Sequence, residues 1–133
     1  MSNAPRPVFR NIGITQLIRY RLPWAGKVSI LHRISGALLF LALPFILYLF
    51  NKSLASEVSF AQFARFVSNP LAKLVLLILI WSFLHHFFAG IRYLLLDLEV
   101  GVEKANSSRS AILVLLLGFG ASAMIALKMF GLF

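Results

Sequence analysis

The sequence predicts an all-α membrane protein with three transmembrane helices, and three observations lead there. Of its 133 residues 60% are hydrophobic and only 13% are charged. A water-soluble chain is about 45–50% apolar and about 25% charged, and one this short cannot hide the excess in a single core. The surplus must therefore face lipid. Three stretches free of Asp, Glu, Lys and Arg, Ile34 to Asn51, Leu74 to Ile91 and Ser110 to Leu127, each run for 18 residues. Such a stretch covers about 27 Å as a helix, and flanking residues extend it toward the roughly 30 Å of a hydrocarbon core. Finally, there is no cysteine, which excludes disulfides, thiolate-bound iron–sulfur clusters and zinc ribbons within the chain.

The elements follow in order within one domain, 1–133. Residues 1–28 carry Arg6, Arg10, Arg19, Arg21 and Lys27 and no acid, and form an N-terminal segment expected on the cytoplasmic side. Pro23 and Trp24 suit a helix entry at the membrane interface, ahead of a first helix over about 29–51. Its apolar run is too long and too far from the N-terminus for the core of a cleaved signal peptide. The loop from Lys52 to Lys73 holds Asn69-Pro70, a turn signal just before a second helix over about 72–96. A loop from Arg92 to Arg109 leads to the third helix, about 109–130. Counted by side, positive residues favour an N-terminus in the cytoplasm and a C-terminus outside by nine to four. That placement accounts for the net charge of +9; nucleic-acid binding would need a basic domain, and here the charges lie between apolar runs.

Polar residues at membrane depth are costly and therefore informative. At about 100° per residue, Ser29, His32, Arg33 and Gly36 fall in one sector of the first helix, with Ile30, Leu31 and Ile34 outside it. One reading has Arg33 reaching back to headgroups and His32 at the interface. The other has a hydroxyl and a guanidinium, one turn apart, donating to a carbonyl or pairing with a carboxylate, with Gly36 allowing close approach. In the second helix His85 and His86 lie about 9 Å along the axis from Arg92. Ser82, His86, Ala89, Gly90, Tyr93 and Asp97 share a sector, and the small residues beside His86 leave space for a flat group. His85 points about 100° away, toward Trp81. Either histidine can simply hydrogen-bond a neighbouring helix, and neutral imidazole is also a haem-iron ligand. Of the three histidines only His86 combines depth with an open neighbourhood, so a second axial ligand would come from another chain. In the third helix Ala111, Gly118, Ala121 and Ser122 share a face suited to close packing, with a partner or within the chain. Phe83, Phe87 and Phe88 are expected to meet lipid or a partner.

Arg6-Pro7, then Ser29-Ile30-Leu31-His32-Arg33-Ile34-Ser35-Gly36, then His86-Phe87-Phe88-Ala89-Gly90-Ile91-Arg92-Tyr93-Leu94-Leu95-Leu96-Asp97 resemble the cytochrome b membrane-anchor subunit of succinate dehydrogenase, over essentially the whole chain. The resemblance implies three transmembrane helices forming part of a heteromeric helix bundle in a bacterial inner membrane. It implies a second membrane-anchor subunit sharing one haem b, and a flavoprotein and an iron–sulfur subunit docked on the cytoplasmic side. Electrons would pass from succinate to ubiquinone. Carried over by position, His86 matches the axial haem ligand, Ser29 and Arg33 match quinone-site residues, and His32 matches a position near a haem propionate; Arg33 is expected to serve both ligands, since a guanidinium can bridge a quinone oxygen and a propionate. Two positions depart from the family's usual pattern: Tyr93 stands where a second histidine is common, and Glu99 where a glycine often follows the aspartate.

Two other functions fit less well. A fumarate reductase anchor working in reverse would carry the same residues, since direction follows relative redox potentials. A proton or anion path through Arg33, His85, His86 and Asp97 would need polar residues along the whole depth, and the third helix offers only Ser110 and Ser122 before Lys128.

Overall fold

The computed structural model describes residues 13–132; Arg6, Pro7 and Arg10 lie outside the described residues. Within them are five helices: α1 (Ile14–Arg19), α2 (Trp24–Ala55), α3 (Glu57–Ser68), α4 (Pro70–Asp97) and α5 (Lys104–Met129). α2, α4 and α5 are each long and apolar enough to cross a membrane. With 32 residues, α2 is about 48 Å long and extends beyond both ends of the expected 29–51. Pro23 sits at its N-cap, and Trp24 is exposed with the Lys27 ammonium 4.1 Å from its ring centre, a pairing suited to a headgroup layer. Pro44 lies within α2, where its missing N–H leaves one carbonyl of the preceding turn without a helical donor.

The stretch between Lys52 and Lys73, where the sequence predicts a loop, is largely helical. Ser56 and Ser59 form a reciprocal capping box that starts α3. Asn69 then ends α3 and caps α4, its side chain accepting from the Leu71 N–H at 2.9 Å, with Pro70 in the first turn of α4. The Asn69-Pro70 signal thus marks a helix-to-helix corner. Val58, Phe60 and Phe66 on α3 are exposed, a pattern that fits a helix lying along the bilayer surface.

α4 closes with both Schellman hydrogen bonds: the Glu99 N–H to the Leu96 carbonyl at 3.0 Å and the Val100 N–H to the Leu95 carbonyl at 2.9 Å. This places Glu99 at φ 62°. α5 ends in the same motif with Gly131, φ 70°, at the equivalent position. The departure at Glu99 therefore sits where the backbone itself favours glycine.

α5 packs against α4 and α2, and the interior is built from small residues. Val28, Ala89, Ala111 and Val114 are buried, with Ala25, Phe88, Tyr93 and Leu115 packed against them. Among the described residues, Ser35, Ser82, His85, Arg92 and Ser122 are the buried polar ones. Gly118, also buried, brings α5 onto α4, since a Cβ there would lie 3.5 Å from the His85 Cα. The small-residue face of α5 is thus spent inside the chain. Large side chains such as Phe40, Leu41, Phe83 and Phe87 point outward, as lipid-facing or partner-facing surface must.

Candidate functional site

The site lies where the N-terminal half of α2 meets the C-terminal half of α4. On α2 the stripe facing the interior runs through Val28 and Ser35, both 0% exposed. Turning away from that stripe, His32, Gly36 and Ser29 are half-buried and Arg33 is exposed. The polar sector read from the sequence is therefore a flank. It leads from the packed interior to the open side of the chain.

On α4 the buried line is Ser82, His85, Ala89 and Arg92, and His86, Gly90 and Tyr93 occupy the flank facing α2. The His86 Nδ1 lies 3.1 Å from the His32 carbonyl oxygen and 3.4 Å from the Ser35 Oγ. A carbonyl oxygen only accepts, so Nδ1 carries the proton and donates it. The lone pair then falls on Nε2, for which the described residues provide no hydrogen-bond partner. Ser35 also donates to the His32 carbonyl, at 3.0 Å, so both groups converge on one backbone oxygen.

Two glycines make room for the rings. A Cβ on Gly36 would meet the His86 Cε1 at 2.9 Å and Nδ1 at 3.2 Å, so the imidazole fits only because none is there. Between the helices the His32 ring stacks on His86 with centroids 4.1 Å apart and planes 9° apart, and Gly90 faces the His32 Nε2. Tyr93 also packs against His32, with ring centroids 5.0 Å apart and planes tilted by 53°. The His32 Nε2 and the Tyr93 hydroxyl are both buried without a partner among the described residues.

The space expected beside His86 is thus only partly open. Ser82 and Ala89 are wholly buried against the chain's own helices, and His32 takes the room beside Gly90. His85 faces α5 rather than α2, as its offset of about 100° allows. It is fully buried, stacks on Trp81 at 5.3 Å and packs against Gly118.

Two functional-looking residues escape a sequence reading. Ser35 falls just outside the polar sector yet reaches His86. Arg92, counted for orientation alone, is only 5% exposed. Its Nε donates to the Ser110 Oγ at 2.9 Å, and its Nη2 to the Ser107 carbonyl at 3.1 Å and the Ser107 Oγ at 2.9 Å, tying α4 to the first turns of α5. Among the described residues no three His, Asp or Glu side chains come together in a metal-binding group.

Three helices of membrane-spanning length, with a histidine pair packed between the first two, define an all-helical membrane protein. The comparisons with known proteins place it more closely. Residues 3–125 match the family described as succinate dehydrogenase/fumarate reductase transmembrane subunit, and the chain belongs to that family. It is 36% identical over 118 residues to the succinate dehydrogenase cytochrome b556 subunit of Coxiella burnetii, covering 88% of this chain and 90% of that protein. To the subunit of the same name from Paracoccus denitrificans it is 31% identical over 96 residues, covering 71% and 74%. The resemblance drawn from the motifs, to a cytochrome b anchor of succinate dehydrogenase, is borne out.

Proposed function

We propose that this chain works as a membrane anchor that binds haem b together with a second anchor subunit and helps form the site where ubiquinone is reduced. The observation that carries the reading is the hydrogen bond from the His86 Nδ1 to the His32 carbonyl. A histidine that ligates a metal characteristically gives its other ring N–H to a carbonyl or carboxylate, which fixes the tautomer and the ring plane. His86 has that arrangement within its own chain, with Nε2 left to hold iron. The haem supplies one-electron chemistry when bound; the protein supplies position and electrostatics. His32 and Arg33 are assigned to a propionate. The unpartnered His32 Nε2 and the permanently charged guanidinium are both suited to a carboxylate.

Ser29 and Arg33 are assigned to the quinone. They lie one turn apart on the outward flank of α2, where a hydroxyl and a guanidinium can donate to a quinone oxygen that gains negative charge on reduction. The residues do not act alone. A flavoprotein subunit would oxidise succinate and an iron–sulfur subunit would relay the electrons, both docked at the cytoplasmic side where α2 begins, with the C-terminus in the periplasm. The two named relatives favour succinate oxidation over the reverse fumarate reaction.

The test separates the two halves of the reaction. In the assembled complex, Ser29→Ala and Arg33→Gln are expected to lower quinone reduction at least tenfold, while succinate oxidation with an artificial electron acceptor stays within a factor of two. An equal loss of both activities would contradict the quinone assignment and point to assembly.

A further inference from the structure

The His32 carbonyl oxygen faces three donors. Within α2 it stands four residues before the Gly36 N–H, its partner in the helical ladder. It also accepts the Ser35 hydroxyl at 3.0 Å and the His86 Nδ1–H at 3.1 Å. A carbonyl oxygen offers only two lone pairs, so the three bonds share two positions. Ser35 is 0% exposed, and water cannot take its hydroxyl. Its other contact, 3.4 Å to the His86 Nδ1, is longer than a usual hydrogen bond, and a nitrogen that carries the proton cannot accept from the hydroxyl. The serine and the imidazole therefore compete for one oxygen.

We infer that Ser35 is a positioning residue for His86: by occupying the His32 carbonyl it weakens the bond from Nδ1–H and limits the electron density that the ring presents at Nε2. The more strongly the other N–H of a ligating histidine is bound, the more basic the ring becomes, and a more basic ligand favours oxidised over reduced iron. Hydrogen bonding behind the axial ligand is one of the means by which a protein sets a haem's potential. Ser35 thus holds the site at a higher potential, suited to receiving electrons. The role rests on His86 being the iron ligand. The ring has no freedom to seek another acceptor on α2, because it lies so close to the backbone that a Cβ on Gly36 would meet its Cε1 at 2.9 Å.

The experiment is a redox titration of the purified complex, followed by haem absorption, in the wild type, Ser35→Ala, Ser35→Thr and Ser82→Ala. Ser82 is the control: it is also 0% exposed, one turn before His86, and its hydroxyl has no partner among the described residues. At a fixed ambient potential Ser35→Ala is expected to raise the ratio of oxidised to reduced haem at least threefold, which is a midpoint about 28 mV lower, since tenfold corresponds to about 59 mV for one electron. Ser35→Thr, which returns the hydroxyl, and Ser82→Ala are expected to keep the wild-type midpoint. An unchanged or higher midpoint in Ser35→Ala, an equal shift in Ser82→Ala, or a Ser35→Thr midpoint equal to that of Ser35→Ala would overturn the role of Ser35 and leave His86 as the ligand. Loss of haem from an assembled Ser35→Ala complex would overturn it too, because the hydroxyl would then hold the ring rather than compete for its acceptor. Haem bands that survive His86→Ala would overturn both the role of Ser35 and the ligand assignment beneath it.

Discussion

Gly36→Ala puts the close approach of α2 to His86 under direct test. On an open helix face the change is favourable by about 1 kcal/mol, because alanine is the better helix former. At Gly36 the new methyl would lie 2.9 Å from the His86 Cε1, inside the 3.4–4 Å of ordinary contact. The ring must therefore retreat by about half an ångström, with His32 stacked on it at 4.1 Å. A shift of that size away from α2 stretches the 3.1 Å bond to the His32 carbonyl beyond good hydrogen-bond range. Overpacking costs about 1–3 kcal/mol and the lost bond about 1 kcal/mol, so the net effect is a destabilisation of about 1–3 kcal/mol. Gly120→Ala is the control, since a Cβ there meets nothing within 4 Å. Thermal unfolding of the purified complex, followed together with its haem absorption, reads both effects. Gly36→Ala is expected to lower the midpoint and broaden or shift the haem band, and Gly120→Ala to do neither. If the two variants behave alike, the packing assigned to Gly36 and His86 is wrong.

Two further outcomes follow from single positions. Glu99→Gly relieves a left-handed residue at the end of α4 and is expected to raise the unfolding midpoint, with a gain of about 1 kcal/mol; a lower midpoint would count against the Schellman ending. His85→Leu removes two ring nitrogens buried without partners at the expense of the stack on Trp81. These effects, each of order 1 kcal/mol, offset one another. Stability should stay within about 1 kcal/mol and the haem spectrum should be unchanged, whereas a lost haem band would transfer the ligand role from His86 to His85.

The spans were legible because charge-free runs of membrane length admit few alternatives, and the different directions of His85 and His86, about 100° apart, followed from helical geometry alone. Gly36 was legible as a place of close approach, although what approaches it, His86, required the fold. α3 was hidden because Glu57 and Arg65 break up its apolar residues and it is too short for a span. Its sequence signals were Ser56 followed three residues later by Ser59 and an amphipathic spacing of Val58, Phe63, Phe66 and Val67. Ser35 was missed because its side chain folds back onto a carbonyl of its own helix, which carries it across the edge of the polar sector. Arg92 was read as an orienting charge because its burial depends on Ser107 and Ser110, hydroxyls well along the chain that only the packing of α5 brings near. The space beside His86 was overestimated for a similar reason, since small residues serve helix contacts as readily as they serve ligands.

The central claim is that His86 ligates a haem b in this anchor. A reduced-minus-oxidised absorption spectrum of the purified complex, wild type against His86→Ala, measures it most directly. The wild type is expected to show the bands of a b-type haem and the variant to lose them while the helices stay assembled. An unchanged spectrum in His86→Ala, or no haem bands in the wild type, would contradict the claim.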